Sequence, residues 1–345
     1  DDSFGANLQF RNDLTNSTTN HRLTYGLDYS KTSNSRSRVK TLSDGQTGTT
    51  NVKDSPDSDT TLLGIYLQDE ISFDNNKWEL IPGLRFDYYK MDSKVDSTYL
   101  QSSKSENPVD LDKQILNPNL ALLYKANKNL TFYGKYNKGF RAPQYSEINT
   151  TFGNLSHYYY IVNNPNLKSE TSDNFEVGVN GNYERLSFSL NGFWSNFKDR
   201  IDGYEAVPNT SSLYDKGDDG LVQSSLCGRG DRTQEGRPCD DYTVYQFVNK
   251  DKAEVYGVEL NANYNFNNQP NGFSLINSLA YTLGNDTSTS TYTPLTTIEP
   301  FKAVTGLKFN SKNNKWGSEL IATYTGVAKT SSSNTNFVPD ASTIF

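Results

Sequence analysis

LTFYGKYNKGFRAPQYSEINTTFGNLSHYYYIVNNPNLKSETSDNFEVGV, residues Leu130 to Val179, is the stretch whose reading decides the fold. Its opening alternates, with Leu130, Phe132, Gly134 and Tyr136 on one face and Thr131, Tyr133, Lys135 and Asn137 on the other. That is a period-two strand with one apolar and one polar side. Its close repeats the pattern, Phe175, Val177 and Val179 opposing Asn174, Glu176, Gly178 and Asn180. The connection between them, Arg141 to about Lys168, is too long for a hairpin turn and carries His157, one of two histidines in the chain. Loops of this length without structure of their own are functional or disordered, so the function is sought here.

Outward in both directions the same rhythm returns. Strands are expected at 4–14 and 21–30, 62–73 and 78–88, 115–126 and 130–137, 171–181 and 186–197, 242–266 and 273–283, and 301–309 and 316–325. Within each pair the connection is short; between pairs it is long and polar, at 31–59, 91–112, 141–168, 201–241 and 284–299. In an up-and-down meander every second connection lies at the same end, so all five long loops should share one end and the tight turns the other. Outer-membrane barrels are built this way, whereas a soluble sandwich has no reason to sort its loops by parity. The fold read from the pattern is an antiparallel, up-and-down transmembrane β-barrel, with about twelve strands present. Polar faces carrying Arg85, Asp87, Glu176, Glu259 and Asn261 suit a wet or plugged lumen. Pro82 sits inside an otherwise good strand and argues locally for an edge.

Composition agrees. The 345 residues include 23 Tyr and 18 Phe, yet no run of about 18 apolar residues occurs, which excludes a helical span. A mean hydropathy of −0.73 is no obstacle to a barrel, whose strands average out as polar. A net charge of −7 argues against a nucleic-acid partner. No Gly-x-Ser-x-Gly, Walker loop or His-Glu-x-x-His is present, and the acidic groups Asp54, Asp57, Asp59, Asp218 and Asp219 read as solvated loop charge. An enzyme is not expected.

Phe140-Arg141-Ala142-Pro143 and Asn164-Pro165-Asn166-Leu167 resemble the paired motifs of TonB-dependent outer-membrane receptors, and a histidine between them is similar to the haem and haemoglobin receptor branch. The resemblance implies a Gram-negative outer-membrane location, a lipid bilayer around the barrel, haem as the transported ligand, and haem or a haem-carrying protein such as haemoglobin as partner at the extracellular loops. It also implies a 22-stranded barrel with a plug that engages the TonB complex. No plug-like segment precedes the first strand, so residues 1–345 are expected to be a partial barrel domain lacking plug and last strands. A closed twelve-stranded barrel is the alternative.

His157 is the expected axial ligand of haem iron, since neutral imidazole and tyrosinate both ligate it, and Tyr158, Tyr159 and Tyr160 are candidate ligands or stacking surfaces. Those tyrosines could equally be an interface girdle or a protein-contact patch. His21, beside a short turn, reads as structural. Cys227 and Cys239 lie in one long loop that holds no histidine, and a disulfide between them would close a loop of 13 residues worth about 3 kcal/mol, so it is favoured over a metal site. A siderophore or metal-chelate receptor and a passive porin are the rival readings of the same architecture.

Overall fold

The computed structural model describes residues 1–41, 49–102, 108–154, 159–207, 243–268, 271–288, 292–295, 297–313, 315–327, 329 and 341–344. The strands are β1 (Asp2–Thr15), β2 (Thr19–Asn34), β3 (Arg38–Thr41), β4 (Thr49–Val52), β5 (Asp57–Phe73), β6 (Trp78–Lys94), β7 (Leu111–Asn127), β8 (Leu130–Arg141) and β9 (Phe152–Asn154). They continue as β10 (Tyr159–Ile161), β11 (Glu170–Asn182), β12 (Leu186–Val207), β13 (Thr243–Asn265), β14 (Gly272–Asp286), β15 (Thr293–Pro294), β16 (Lys302–Asn310), β17 (Gly317–Thr325) and β18 (Ser342–Ile344). The two helices are short, α1 (Ser97–Ser102) and α2 (Tyr145–Asn149).

One sheet runs β1-β2-β5-β6-β7-β8-β11-β12-β13-β14-β16-β17-β18, every neighbour antiparallel. Twelve long strands therefore follow one another as a meander, and the long connections all leave from one end, as loop parity requires. No ladder joins β1 to β18 among the described residues.

The register aligns one apolar face across the whole wall. Phe10 lies opposite Tyr25, Tyr25 opposite Leu67, and Leu67 opposite Leu84; further along, Tyr136 faces Phe175, Phe175 faces Trp194, and Trp194 faces Tyr256. Leu67, Leu84 and Val177 are 50%, 45% and 66% exposed on this side, the arrangement of a wall whose solvent is hydrocarbon. On β6 the apolar face runs from Trp78 to Tyr88, about 34 Å of strand. A strand tilt of roughly 40° brings that to about 25 Å of height, matching an outer-membrane apolar band. Rings crowd its turn-side border: Trp78 lies 4.4 Å from Tyr124, and Phe309 lies 5.1 Å from Trp316.

The opposite face is polar and cross-linked. Arg85 on β6 reaches Asp28 on β2 at 2.6 Å and Asp87 at 2.8 Å. It crosses β5 at Gly64, where a Cβ would fall 2.1 Å from its Nη2, so a side chain there would push the guanidinium aside. Tyr133 and Lys135 both reach Glu176 at 2.7 Å.

The turns show why that end is tight. Asn16 Oδ1 accepts the backbone N–H groups of Thr18 and Thr19, and Asn127 Oδ1 accepts that of Asn129. Such Asx turns reverse the chain within a few residues. Asp74, Asn75 and Asn76 adopt left-handed φ of 50°, 53° and 64°, a region these residue types tolerate. His21 sits at this end, bonded to Asp69 at 2.8 Å and to Thr19 at 3.0 Å, in keeping with its structural reading.

Pro82 does not make β6 an edge strand, contrary to expectation. β6 is paired on both sides, and the β5–β6 ladder simply skips from Gln68–Gly83 to Ile71–Leu80 around the missing N–H. The 242–266 strand begins at Thr243 and is laddered from its first residues.

Candidate functional site

The two family-like motifs meet at the loop end, and both are structural joints. Arg141 closes β8 and donates from Nη1 to both carboxylate oxygens of Glu147 in α2 at 2.9 Å, and from Nη2 to Glu170 of β11 at 3.3 Å. Glu147 also accepts the Gln144 N–H that opens α2, and Glu170 accepts the Ile201 N–H of β12. One arginine thus ties the exit of β8 to the helix that follows and to two neighbouring strands, the geometry at which a planar fork excels. Pro143 is fully buried and its carbonyl takes the Tyr89 hydroxyl at 3.4 Å. Phe140 stays on β8, opposite Thr171, and Ala142 links it to the buried proline.

Asn164 folds the second motif. Its Oδ1 accepts the Asn166 N–H at 3.0 Å, its carbonyl accepts the Leu167 N–H, and Pro165 supplies the fixed φ of the turn. Its Nδ2 donates to the Phe247 carbonyl at 2.7 Å, and Asn249 Oδ1 accepts the Lys168 N–H at 2.8 Å. These bonds fall where β13 has run past its neighbour. β14 accompanies β13 only from Ala253 onward, so residues 243–252 would otherwise show an open edge. The second motif and β10, parallel to Thr243–Tyr245, cover it. Capping an exposed strand edge removes a template for wrong pairing.

Between the motifs lies a true core. Met91, Leu111, Ile148, Leu167 and Ile201 pack together, with Tyr89, Val109, Tyr145 and Phe247 around them. Asn149 is buried inside this shell and satisfied: Oδ1 accepts the Val109 N–H, and Nδ2 donates to Val109 O and Ser93 Oγ. The 141–168 connection is therefore not structureless; it holds α2, β9 and β10 on a packed base.

β9 and β10 pair as Phe152–Ile161, Gly153–Tyr160 and Asn154–Tyr159. Tyr159 lies 6.2 Å from Phe152 and 5.8 Å, edge-on, from Tyr245. Tyr160 is buried against Gly153, where a Cβ would sit 2.5 Å from its ring. Of the expected site residues, Tyr159 and Tyr160 are thus placed, while His157 and Tyr158 lie outside the described residues, as do Cys227 and Cys239. The edge-covering role of Asn164 was missed by sequence reasoning, although Asn-Pro-Asn is a recognisable turn former.

With an apolar outer belt, a polar inner face and long loops gathered on one rim, the architecture is that of an outer-membrane receptor barrel. The family model described as TonB dependent receptor-like, beta-barrel matches residues 1–344, and the chain belongs to that family. Among curated relatives, it is 27% identical over 268 residues to "Hemoglobin-haptoglobin utilization protein B" of Neisseria meningitidis serogroup A, covering 74% of this chain and 31% of that protein. It is 25% identical over 337 residues to "Hemin receptor" of Yersinia enterocolitica, covering 93% and 41% respectively. The chain thus spans about a third of the length of the first relative it matches. Among solved structures, the hemophore receptor HasR of Serratia marcescens, in complex with HasA and heme, aligns with a TM-score of 0.64 at 16% identity over 96% of this chain and 54% of that one. The copper transporter OprC aligns at 0.68 and 16%, over 99% and 47%. At such identities these structures speak to the fold.

Proposed function

We propose that the chain is the barrel portion of a Gram-negative outer-membrane receptor that binds haem, free or from a carrier such as haemoglobin, and passes it inward in a TonB-dependent step. The observation that carries this reading is the packed base at the loop end, which holds both motif segments and presents β9 and β10 on either side of residues 155–158. The names of the relatives, a hemoglobin-haptoglobin utilization protein and a hemin receptor, support haem over other cargo. Those relatives are transport receptors, and the function is binding and gated passage rather than catalysis.

In this reading His157 ligates the haem iron through a neutral imidazole. Tyr158 and Tyr159 flank the porphyrin, while buried Tyr160 holds β10 against β9. A plug elsewhere in the whole receptor would supply the second ligand and the TonB contact. Cys227 and Cys239 form a disulfide in their long loop.

In the full-length receptor, His157→Ala is expected to lower haem uptake and shift the Soret band, with the barrel assembling normally. Tyrosine can substitute in part, so the decisive variant adds Phe at 158, 159 and 160. Unchanged haem binding and uptake in that quadruple variant would overturn the haem assignment and leave a siderophore receptor in its place.

A further inference from the structure

A cleft of about 430 Å³ opens beside β9 and β10, on the side of the β3–β4 hairpin. Its basic rim is Arg36 and Arg38; its aromatic walls are Phe152 of β9 and Tyr204 of β12. The Phe152 wall is tied to the segment that carries Asp54, because Thr151 donates its N–H to the Asp54 carbonyl at 2.6 Å, joining the start of β9 to the residues after β4. Tyr204 is held from behind by Phe247, ring centroids 4.2 Å apart.

The cleft is locally basic. In a chain of net charge −7, two guanidiniums here face one carboxylate, Asp54. Burial pushes the Asp54 carboxyl up, against the pull of Arg38 and Arg36. Arg38 is pre-positioned: Nη2 donates to Asp54 Oδ1 at 2.9 Å, and its Cζ lies 4.8 Å above the Phe152 ring. A guanidinium carries five N–H donors in a planar fork, so one bond to Asp54 leaves donors directed at an incoming anion. A cleft of a few hundred cubic ångströms with aromatic walls and a few convergent polar groups is the usual form of a small-molecule site.

We propose that this cleft seats the carboxylate edge of haem, Arg36 and Arg38 donating to the two propionates while Phe152 and Tyr204 flank the flat ring. The proposal rests on the haem reading above and adds to it the residues that orient the ligand. Two adjacent forks match two carboxylates on one edge of a planar ligand, and a charge-assisted pair of this kind adds direction as well as affinity.

The test is a Soret titration of the full-length receptor in detergent with haem and with haem dimethyl ester, whose carboxylates are blocked but whose iron is intact. The Arg36→Gln/Arg38→Gln variant should bind haem about tenfold or more weakly and should bind the ester as the unaltered receptor does. Arg36→Gln alone, which keeps the Arg38–Asp54 pair and with it the hairpin, should give a smaller loss of the same kind. Equal haem affinity in variant and unaltered receptor would overturn the propionate site and leave the haem function standing. Equal loss for haem and ester would also overturn it, marking a merely structural effect. Failure of the unaltered receptor to bind either porphyrin would overturn both readings together.

Discussion

The wall and the loop end of this protein are stabilised in opposite ways. Across the membrane-facing belt, large apolar side chains such as Phe4, Leu8, Ile65, Leu84 and Leu320 point outward and stay exposed to the hydrocarbon medium. The fully buried hydrophobic residues, Met91, Tyr99, Ile148 and Ala253 among them, belong to the loop end. The wall is thus held by antiparallel ladders that pair the backbone from strand to strand, while the loop end has the water-excluding core of a small soluble domain. One chain solves two solvents, and the difference predicts which substitutions are felt where.

The largest effect is expected at the loop end. Ile148→Ala empties the centre of its core and should cost about 2–5 kcal/mol locally. Hydrogen exchange of the α2 and β10 amides should accelerate while the heat-resistant migration of the folded wall is retained. A collapse of both together would break the comparison. Next is the wall itself: Leu84→Arg, near mid-height of the belt, should destabilise insertion by about 2–4 kcal/mol in denaturant titrations in liposomes. Gln68→Arg, on the inner face of the adjacent strand, should change stability by less than about 1 kcal/mol under the same conditions. Equal costs would mean that the two faces do not differ in environment, and reversed costs that they have been exchanged.

Smaller than the Ile148 and Leu84 effects is that of Lys53, buried between β4 and β5, which donates to Asp57 at 2.7 Å and Asp96 at 2.5 Å. Burial works to lower its pKa, but the hydrogen bonds to Asp57 and Asp96 outweigh it and leave it raised. Lys53 in turn holds Asp96 below its ordinary 3.8, helped by the Tyr99 N–H. A depressed acid stabilises above its unfolded pKa and loses that stability as pH falls through the folded one; a raised lysine stabilises below its unfolded 10.5 and loses it as pH rises beyond. The pair therefore contributes fully between about pH 4 and pH 10. Lys53→Met should cost roughly 1–3 kcal/mol at neutral pH, since two carboxylates then lose their partner and Asp96 is partly solvated. It should also flatten the acid limb of loop-end stability, measured by hydrogen exchange of α1.

The wall was legible because lipid imposes a period on the sequence. At the turn end the expected boundaries Phe73, Trp78, Leu130 and Leu186 agree with the observed strand ends. At the loop end most readings fell short: β5 starts at Asp57, β6 runs to Lys94 and β12 to Val207. Beyond the bilayer the outward face needs no apolar residue, so the alternation stops while the ladder continues. Pro82 misled for a related reason, since a two-pair gap in one ladder is tolerable when seventeen residues of strand surround it. The site was legible only as far as its motifs. Phe140-Arg141-Ala142-Pro143 and Asn164-Pro165-Asn166-Leu167 marked the two ends of the 141–168 connection. Their actual contacts, Arg141 to Glu147 and Glu170 and Asn164 to Phe247, join residues whose proximity no local pattern records. The Arg36–Arg38 cleft was invisible for the same reason, being assembled from five separate segments.

The capped edge of β13 also sets a sequence of events in assembly. Each hairpin of the wall closes over a turn of a few residues, so its strands meet at little cost in chain entropy. The loop end cannot form so early. Thr151 bonds to Asp54 across 97 positions, and Gln246 and Asn249 bind back to Asn163 and Lys168 across 83 and 81. Until β13 has arrived, the second motif has no edge to cover and the core beneath α2 lacks Phe247 on its flank. The loop-end rim is thus expected to be the last part of this region to solidify, and its closure would report that the strands beneath it have been threaded in the right order.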